Sequence, residues 1–442
     1  MKVFIPVLLT LLSCRLAHAQ ASLSLEEALR LARQNNLQIK KQEHRQKFAE
    51  LEVAIKRGQR LPSLDLSATA SYTDEIAKLD IPLDKLGLPL PPDFAASAVE
   101  LGGHDRADFA LGVRQSIFTA GRLRAQVDLA KTALQGEETR LALLQQQTAY
   151  QIHLLFYQAQ NLKKENKIQV ASLNRLTTQL TQTRHLLQAA QVVAYDTLQV
   201  FNQALQVKIL IEQNLRDQRL VDLQMARVLD LVEVRPIVES ELPRVGEFNY
   251  ARDSLKQAAR QARPELRGVR LSQKSAQLNR TLARGNYFPE IGAEAKYHYG
   301  KPGLNQGADE WMDYTTVGVS LQWNLWRGQQ DRHRVEEAEI EYTRLTLEER
   351  ELVRTVEYEV ERSWENMKYA TRQIALAEQL LAQQQERYRI VSTQQREGVA
   401  TTNDVIVAES DLTQAELQLQ RALIQYYVSQ SEMRLATGAM LE

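Results

Sequence analysis

The 442-residue chain has one cysteine, Cys14, so it can form neither an internal disulfide nor a cysteine-type zinc site. Only 18 glycines and 11 prolines punctuate it, too few for a loop-rich globule of this length. Long uninterrupted helices are therefore expected. An excess of one charge is also lacking: 55 basic side chains meet 55 acidic ones, which gives neither a nucleic-acid footprint nor an acidic solvating tail. No phosphate-cradling glycine loop, His-x-x-x-His pair or nucleophile elbow occurs. His44, His104, His153, His185, His298 and His333 are scattered without ligand spacing. No catalytic residue, metal site or cofactor is expected, and the chain does not read as an enzyme. At 44% hydrophobic residues it can still bury a core.

The amino terminus carries Lys2, an apolar stretch from Val3 to Leu12, and Ala17-His18-Ala19 ahead of Gln20. That pattern is a secretory signal peptide, residues 1–19, cut after Ala19. The apolar run is shorter than the roughly 20 residues that span a bilayer. Leu11-Leu12-Ser13-Cys14 offers the alternative of lipidation at Cys14, which would leave the Ala-x-Ala site unused. Beyond Gln20 no stretch approaches a spanning helix, so the exported chain either stays in the next compartment or enters a membrane as strands.

The remainder is written twice. Ser24-Leu25-Glu26-Glu27-Ala28 leads to Arg57-Gly58 and Pro62, and Ser254-Leu255-Lys256-Gln257-Ala258 leads to Arg284-Gly285 and Pro289. Ile117-Phe118 pairs with Leu325-Trp326, Asp196 with Asp404 and Met225 with Met433, each pair 208 positions apart. Freedom from insertions over that distance is what packed helices require, because one extra residue rotates every later side chain by about 100°. Leu141, Leu144, Thr148, Ile152, Leu155, Ala159 and Leu162 step by three and four, as do Leu352, Val356, Val360, Ser363, Met367, Ala370, Ile374, Ala377 and Leu381. This is coiled-coil spacing, which an amphipathic bundle helix shares. From Arg122 to about Ala190 no proline interrupts, so roughly 100 Å of helix is expected at 1.5 Å per residue.

Between the helices lie segments of period two, at 64–72, 109–114, 291–299 and 317–323. Each approaches the 9 to 11 residues that cross a bilayer as a tilted strand, with an apolar set on one face and a small or charged set on the other. Tyr72, Phe118, Phe288, Trp311, Trp323 and Trp326 cluster near the strand ends, as a membrane-interface girdle would, or as a sandwich core would. Four strands cannot close in lipid, because an open edge leaves backbone groups unpaired in hydrocarbon. Protomers must pool their strands. The loop after the first strand, with Pro82, Pro89, Pro91 and Pro92, reads as an irregular surface excursion.

These features resemble the outer-membrane efflux proteins, the TolC-like trimeric channels. The matching marks are Arg57-Gly58 with Pro62, Ile117-Phe118-Thr119-Ala120-Gly121-Arg122, Leu325-Trp326-Arg327-Gly328, Gly398-Val399-Ala400 with Asp404 and Ala408, and Leu435-Ala436-Thr437-Gly438. The fold class this implies is mainly α with a membrane β part. A duplicated unit of helix, strand, strand and long helical hairpin builds a trimeric 12-stranded β-barrel, continued by a periplasmic α-helical barrel. The expected organisation is N-terminal helices 24–60, strands and outer loop 62–118, long hairpin 120–232, and a connecting equatorial segment 233–250. The second copy then follows with helices 254–286, strands and loop 289–326 and hairpin 327–438.

The resemblance also implies an outer-membrane location extending into the periplasm. Its expected partners are a second and third copy of the chain, outer-membrane lipid, a periplasmic adaptor and an inner-membrane transporter, with no nucleic acid. The adaptor would dock on hairpin tips at Ala190, Gln191 and Val192 and at Gly398, Val399 and Ala400. Asp196 and Asp404 fall where the family places acidic residues at the periplasmic entrance, and threefold symmetry would make each a carboxylate ring that attracts cations. The other reading of these aspartates is helix capping, since Asp196-Thr197-Leu198-Gln199 has capping-box spacing; both roles can coexist. The chain departs from the family at Ala190, where glycine is usual, and at Ala400 and Val407, where a gate arginine and a further aspartate are usual. A charge-locked closed gate is thus not implied. The function expected is a passive export duct of a tripartite system. The alternative is a periplasmic coiled-coil scaffold or stalk with a small soluble β part.

Overall fold

A computed structural model describes residues 22–79, 99–101, 103–233, 235–239, 245–246, 251–301, 303–304 and 309–439. The expected signal peptide, Cys14, the four loop prolines and parts of the connecting segment lie outside the described residues. Among the described residues, α1 (Leu25–Asn35), α2 (Leu37–Gly58), β1 (Ser63–Tyr72), β2 (Ala77–Leu79), β3 (Val99–Leu101), β4 (Asp105–Phe118), α3 (Arg122–Gln188) and α4 (Ala194–Val228) form the first half. The second half runs α5 (Arg252–Ala262), α6 (Pro264–Gly285), β5 (Glu290–Lys301), β6 (Met312–Gln322), α7 (Gln330–Arg396) and α8 (Thr402–Thr437). Helices α3 and α7 are each 67 residues long, and both their starts and their ends are 208 positions apart. In these two helices the duplication is thus kept to the residue.

Local chemistry accounts for the helix breaks. Ser24 Oγ accepts from Glu27 N at 3.2 Å and caps α1. Asn36 separates α1 from α2: its Oδ1 accepts from the N–H groups of Gln38 and Ile39, while its Nδ2 donates to the Val228 carbonyl at 2.8 Å. In the second copy the break is made by Pro264, which opens α6 at a position where a missing N–H costs nothing. Gly438 ends α8 at φ 74°, with Ala439 N bonded back to Arg434 O at 2.9 Å. A Cβ there would stand 2.9 Å from the backbone carbon of Ala262, so both the turn and the close approach require glycine.

The chain divides into two compact units. One takes the described residues within Met1–Glu43, Arg140–Leu266 and Glu351–Glu442, and the other takes His44–Thr139 and Arg267–Arg350. The first is helical. The two stripes expected from spacing point inward: Ile152, Val356, Val360 and Ala370 are fully buried, with Leu155, Ala159, Met367 and Ala377 close behind. Tyr157, Tyr426 and Tyr427 pack with Phe156 and Met225 in the same core. A parallel bridge joins Leu23 to Ile237, and Gln160 donates to Val238 O at 2.5 Å, tying the connecting segment to α3.

The second unit carries an antiparallel sheet of order β1-β4-β5-β6. Every strand of this sheet begins ahead of its expected span, β4 and β6 by the most. β4 covers 105–118 and β6 covers 312–322, because Asp105, Arg106, Asp108, Asp313 and Thr315 hold ladder positions although they break the apolar alternation. The loop after β1 also differs from the irregular excursion expected: β2 and β3 pair across its base, Ala77 with Leu101 and Leu79 with Val99.

Candidate functional site

The strand register divides the sheet into two chemically opposite faces. Leu64, Leu66 and Ala68 stand across from Val113, Leu111 and Phe109; these continue to Ala295, Tyr297 and Tyr299, and then to Val317 and Val319 through Ala295 and Ala293. This face is apolar and uncovered: Leu66 and Val317 are each 78% exposed and Val319 73%. Leaving such side chains in water forgoes roughly 1.5–3 kcal/mol apiece, so the face is built for an apolar medium. Edge strands β1 and β6 have no second partner among the described residues. Among the described residues nothing covers this face and the aromatics stand on the open side, which is not the arrangement of a sandwich core.

The aromatics form two belts. At the loop end Trp311 stacks on Tyr299 (4.9 Å) and on Phe109 (6.3 Å), and Tyr72 stacks on His104. At the helix end Trp323 Nε1 donates to Tyr287 O at 3.0 Å, beside exposed Phe118, Phe288 and Trp326. The 11 residues of β6 between the belts give roughly 35 Å of strand, or about 27 Å once tilted by about 40°, which matches a hydrocarbon layer.

The opposite face is polar. Arg114 meets Glu294 at 3.5 Å, Lys296 pairs with the same carboxylate, and Arg122 reaches Glu290. His298 stacks on Tyr314 (4.7 Å), lies 3.1 Å from Asp108 and 3.2 Å from Thr316 Oγ1. Charges of both signs stand side by side on this face and several pair with one another.

The two hairpin tips differ in detail. In the first, Ala190 adopts φ 57° and its N–H bonds to Leu187 O, while Gln191 N bonds to Leu186 O at 2.9 Å. Val193 occupies the N-cap position of α4, and Asp196 Oδ2 accepts from its N–H at 3.0 Å. Valine has no side-chain acceptor, so only half of a capping box exists. In the second tip Gly398 adopts φ 77°, and Thr401 and Asp404 form the complete box: Thr401 Oγ1 accepts from Asp404 N at 3.2 Å, and Asp404 Oδ2 accepts from Thr401 N at 2.9 Å. The Thr401 hydroxyl, and then its N–H, hold the Asp404 carboxyl below the usual carboxylate range. Both aspartates therefore sit at the third helical position, not at the cap itself as the Asp196-Thr197-Leu198-Gln199 spacing suggests. Gln191, Val193, Gly398 and Val399 are exposed, while Val192 and Ala400 are half-buried.

One polar cluster is not legible in the sequence. Arg175 of α3 donates to Glu409 (3.1 Å), Thr413 (2.9 Å) and Glu416 (3.1 Å) of α8, although Glu409 is almost fully buried. Below it Gln179 donates to Gln395 at 2.9 Å. The partners lie more than 200 positions apart, so no local pattern could have paired them.

A model of the outer membrane efflux protein family matches residues 28–226 and 255–439. The chain belongs to that family. Its role is that of an efflux duct of the outer membrane. The outer membrane protein VceC of Vibrio cholerae is similar at 17% identity and a TM-score of 0.76, over 95% of this chain and 97% of that one. The CmeC outer membrane channel of Campylobacter jejuni is similar at 13% identity and 0.76, over 94% and 85%. The open state of the MtrE outer membrane channel of Neisseria gonorrhoeae follows at 14% and 0.74, over 95% and 89%. At these identities the likeness is one of fold: mostly helical, with a small sheet. No curated protein sequence matches the chain.

Proposed function

We propose that three copies of the chain pool their sheets into a closed cylinder of twelve strands and act as the passive exit duct of a tripartite efflux or secretion system. The observation that carries this reading is the four-stranded sheet with one bare apolar face, one charged face and two free edges. Joining β6 of one copy to β1 of the next satisfies both edges. Twelve strands about 4.8 Å apart at about 40° of tilt enclose a ring roughly 24 Å wide, broad enough for water and solutes. The aromatic belts then lie at the two membrane surfaces and the charged face lines the passage. The helical hairpins reach into the periplasm, where the tips at Ala190–Val192 and Gly398–Ala400 meet an adaptor and, through it, an inner-membrane transporter that supplies the energy. The duct conducts and does not catalyse, and it reaches the outer membrane after loss of residues 1–19.

Membrane fractionation tests the whole. The mature protein stays with the outer membrane after salt washing and runs as a heat-sensitive trimer. A freely soluble monomer without detergent overturns the reading. The entrance role of Asp404 is tested separately in planar bilayers: Asp404→Asn lowers the cation preference of the open channel, whereas unchanged selectivity leaves this carboxylate with its capping bond alone.

A further inference from the structure

We propose that the helix-side rim of the sheet is a docking surface for the phosphate headgroups of anionic phospholipids in the adjacent membrane leaflet. This rests on the membrane reading above. Among the described residues of the sheet unit, Arg57, Arg60 and Arg124 make no ion pair, and all three are exposed. They stand where α2 ends, where the turn into β1 lies and where α3 begins, all at the helix end of the strands. The other cations at that end have carboxylate partners: Arg122 with Glu290, Arg327 and Arg334 with Asp331, Arg332 with Glu336, and Arg284 with Glu339.

One contact fixes the side on which the Arg60-Leu61 turn faces. Gln115 belongs to the apolar face, in step with Leu111 and Val113, and its Nε2 donates to the Arg60 carbonyl at 3.1 Å. The Arg60-Leu61 turn is thus tied to the lipid side, directly below the helix-end belt, and Leu61 is 68% exposed beside it. The loop end differs on its apolar-face side: Asp105 and Asp313 stand there, Lys301 is neutralised by Asp309 at 3.0 Å, and the unpaired Arg106 lies on the polar-face side opposite Ser71. A cationic rim continuous with an apolar band and an aromatic belt presents the three chemistries of a phospholipid in their order: acyl chain, interface and phosphate. Guanidinium groups suit the phosphate because they donate in a planar fork. Each arginine near an anionic surface is worth roughly a fivefold gain in binding.

The test uses the full-length mature protein in phosphatidylcholine vesicles carrying either brominated phosphatidylglycerol or brominated phosphatidylcholine, which quench tryptophans in contact with lipid. At low salt the anionic lipid is enriched several-fold at the protein, and 0.5 M salt removes the enrichment. In the triple variant R57Q/R60Q/R124Q, which still inserts and is still quenched, the preference falls to within about twofold of none, while Lys301→Gln at the other rim leaves it unchanged. Equal quenching of the wild-type protein by both lipids overturns the proposal, as does a preference that survives the triple variant or is lost in Lys301→Gln. Free glycerol phosphate that competes as well as lipid overturns the headgroup assignment. Absence of quenching by either lipid indicts the membrane reading itself and is distinguishable from these outcomes.

Discussion

The helical unit and the sheet unit spend the same residue types in opposite ways. In the helices Ile152, Val356 and Ala370 are sealed inside, whereas in the sheet Leu66, Val317 and Val319 are turned outward and the charged pairs sit on the other face. The difference teaches what each part is solvated by. A helix that packs on helices hides its apolar stripe from water, and a sheet that enters lipid shows its apolar face to the solvent it was built for.

The sharpest way to break this contrast is to put one charge on each face of the sheet. Val319→Arg places a guanidinium in mid-strand on the apolar face, at about 2–4 kcal/mol near the bilayer centre. Insertion fails, read as protein lost from the outer-membrane fraction. Ser320→Arg, one position away on the polar face, inserts normally. Equal behaviour of the two variants would erase the distinction between the faces.

In the helical unit the same logic runs through a buried charge. Arg175→Ala strands Glu409 in a nearly closed site, a change that costs about 3–5 kcal/mol when one partner of a buried pair is removed. Arg175→Met with Glu409→Leu and Glu416→Leu recovers most of the loss, since an apolar core can replace an ion cluster. Denaturant midpoints of the solubilised protein measure both.

How far the sequence foretells this architecture depends on whether the signal is local. The 208-residue offset, the stripes through Ile152 and Val360 and the alternation of Leu64-Asp65-Leu66 are local or periodic, and the elements they predict are present. Strand ends at Asp105 and Met312 were illegible, because ladder hydrogen bonds carry the strand past the point where side-chain alternation stops. The Val193 cap was illegible for another reason: at the tip, backbone geometry chose a residue with no capping chemistry, and Asp196 reaches back from the third position. Arg175 and its carboxylates show the remaining gap, a contact made only once two distant helices have packed.

A pH experiment sharpens the helical side further. Burial, with a smaller push from Arg434, lowers the His153 imidazole from 6.5 to about 4; its Nδ1 lies 3.3 Å from Ser431 Oγ in the core. The folded protein keeps this ring neutral, so below 6.5 the unfolded chain binds the proton that the folded chain refuses. The stabilisation is complete above pH 6.5 and is lost as pH falls from 6.5 towards 4, on the order of 2–3 kcal/mol over that window. His153→Phe keeps the ring and removes that component, so its unfolding free energy changes less between pH 7.5 and 4.5. A wild-type and a variant with parallel pH profiles would mean the acid sensitivity arises elsewhere.

The smallest effect concerns the two hairpin tips within the helical unit. Ala190 and Gly398 hold the same left-handed turn, at φ 57° and 77°, and only the second is a residue that adopts it without steric cost. Ala190→Gly relieves a strain of roughly 1–2 kcal/mol and gives back part of it through the greater freedom of glycine in the unfolded chain, for a net gain of about 1 kcal/mol. Gly398→Ala loses by the same reasoning. Because an exposed tip opens without disturbing the core, amide exchange at 189–193 and 397–401 reads the change where global melting would dilute it. Slower exchange at the first tip of Ala190→Gly and faster exchange at the second tip of Gly398→Ala are the expected pair. If the two substitutions move exchange in the same direction, the asymmetry between the tips lies in their caps, half-built at Val193 and complete at Thr401, and not in the turn residue.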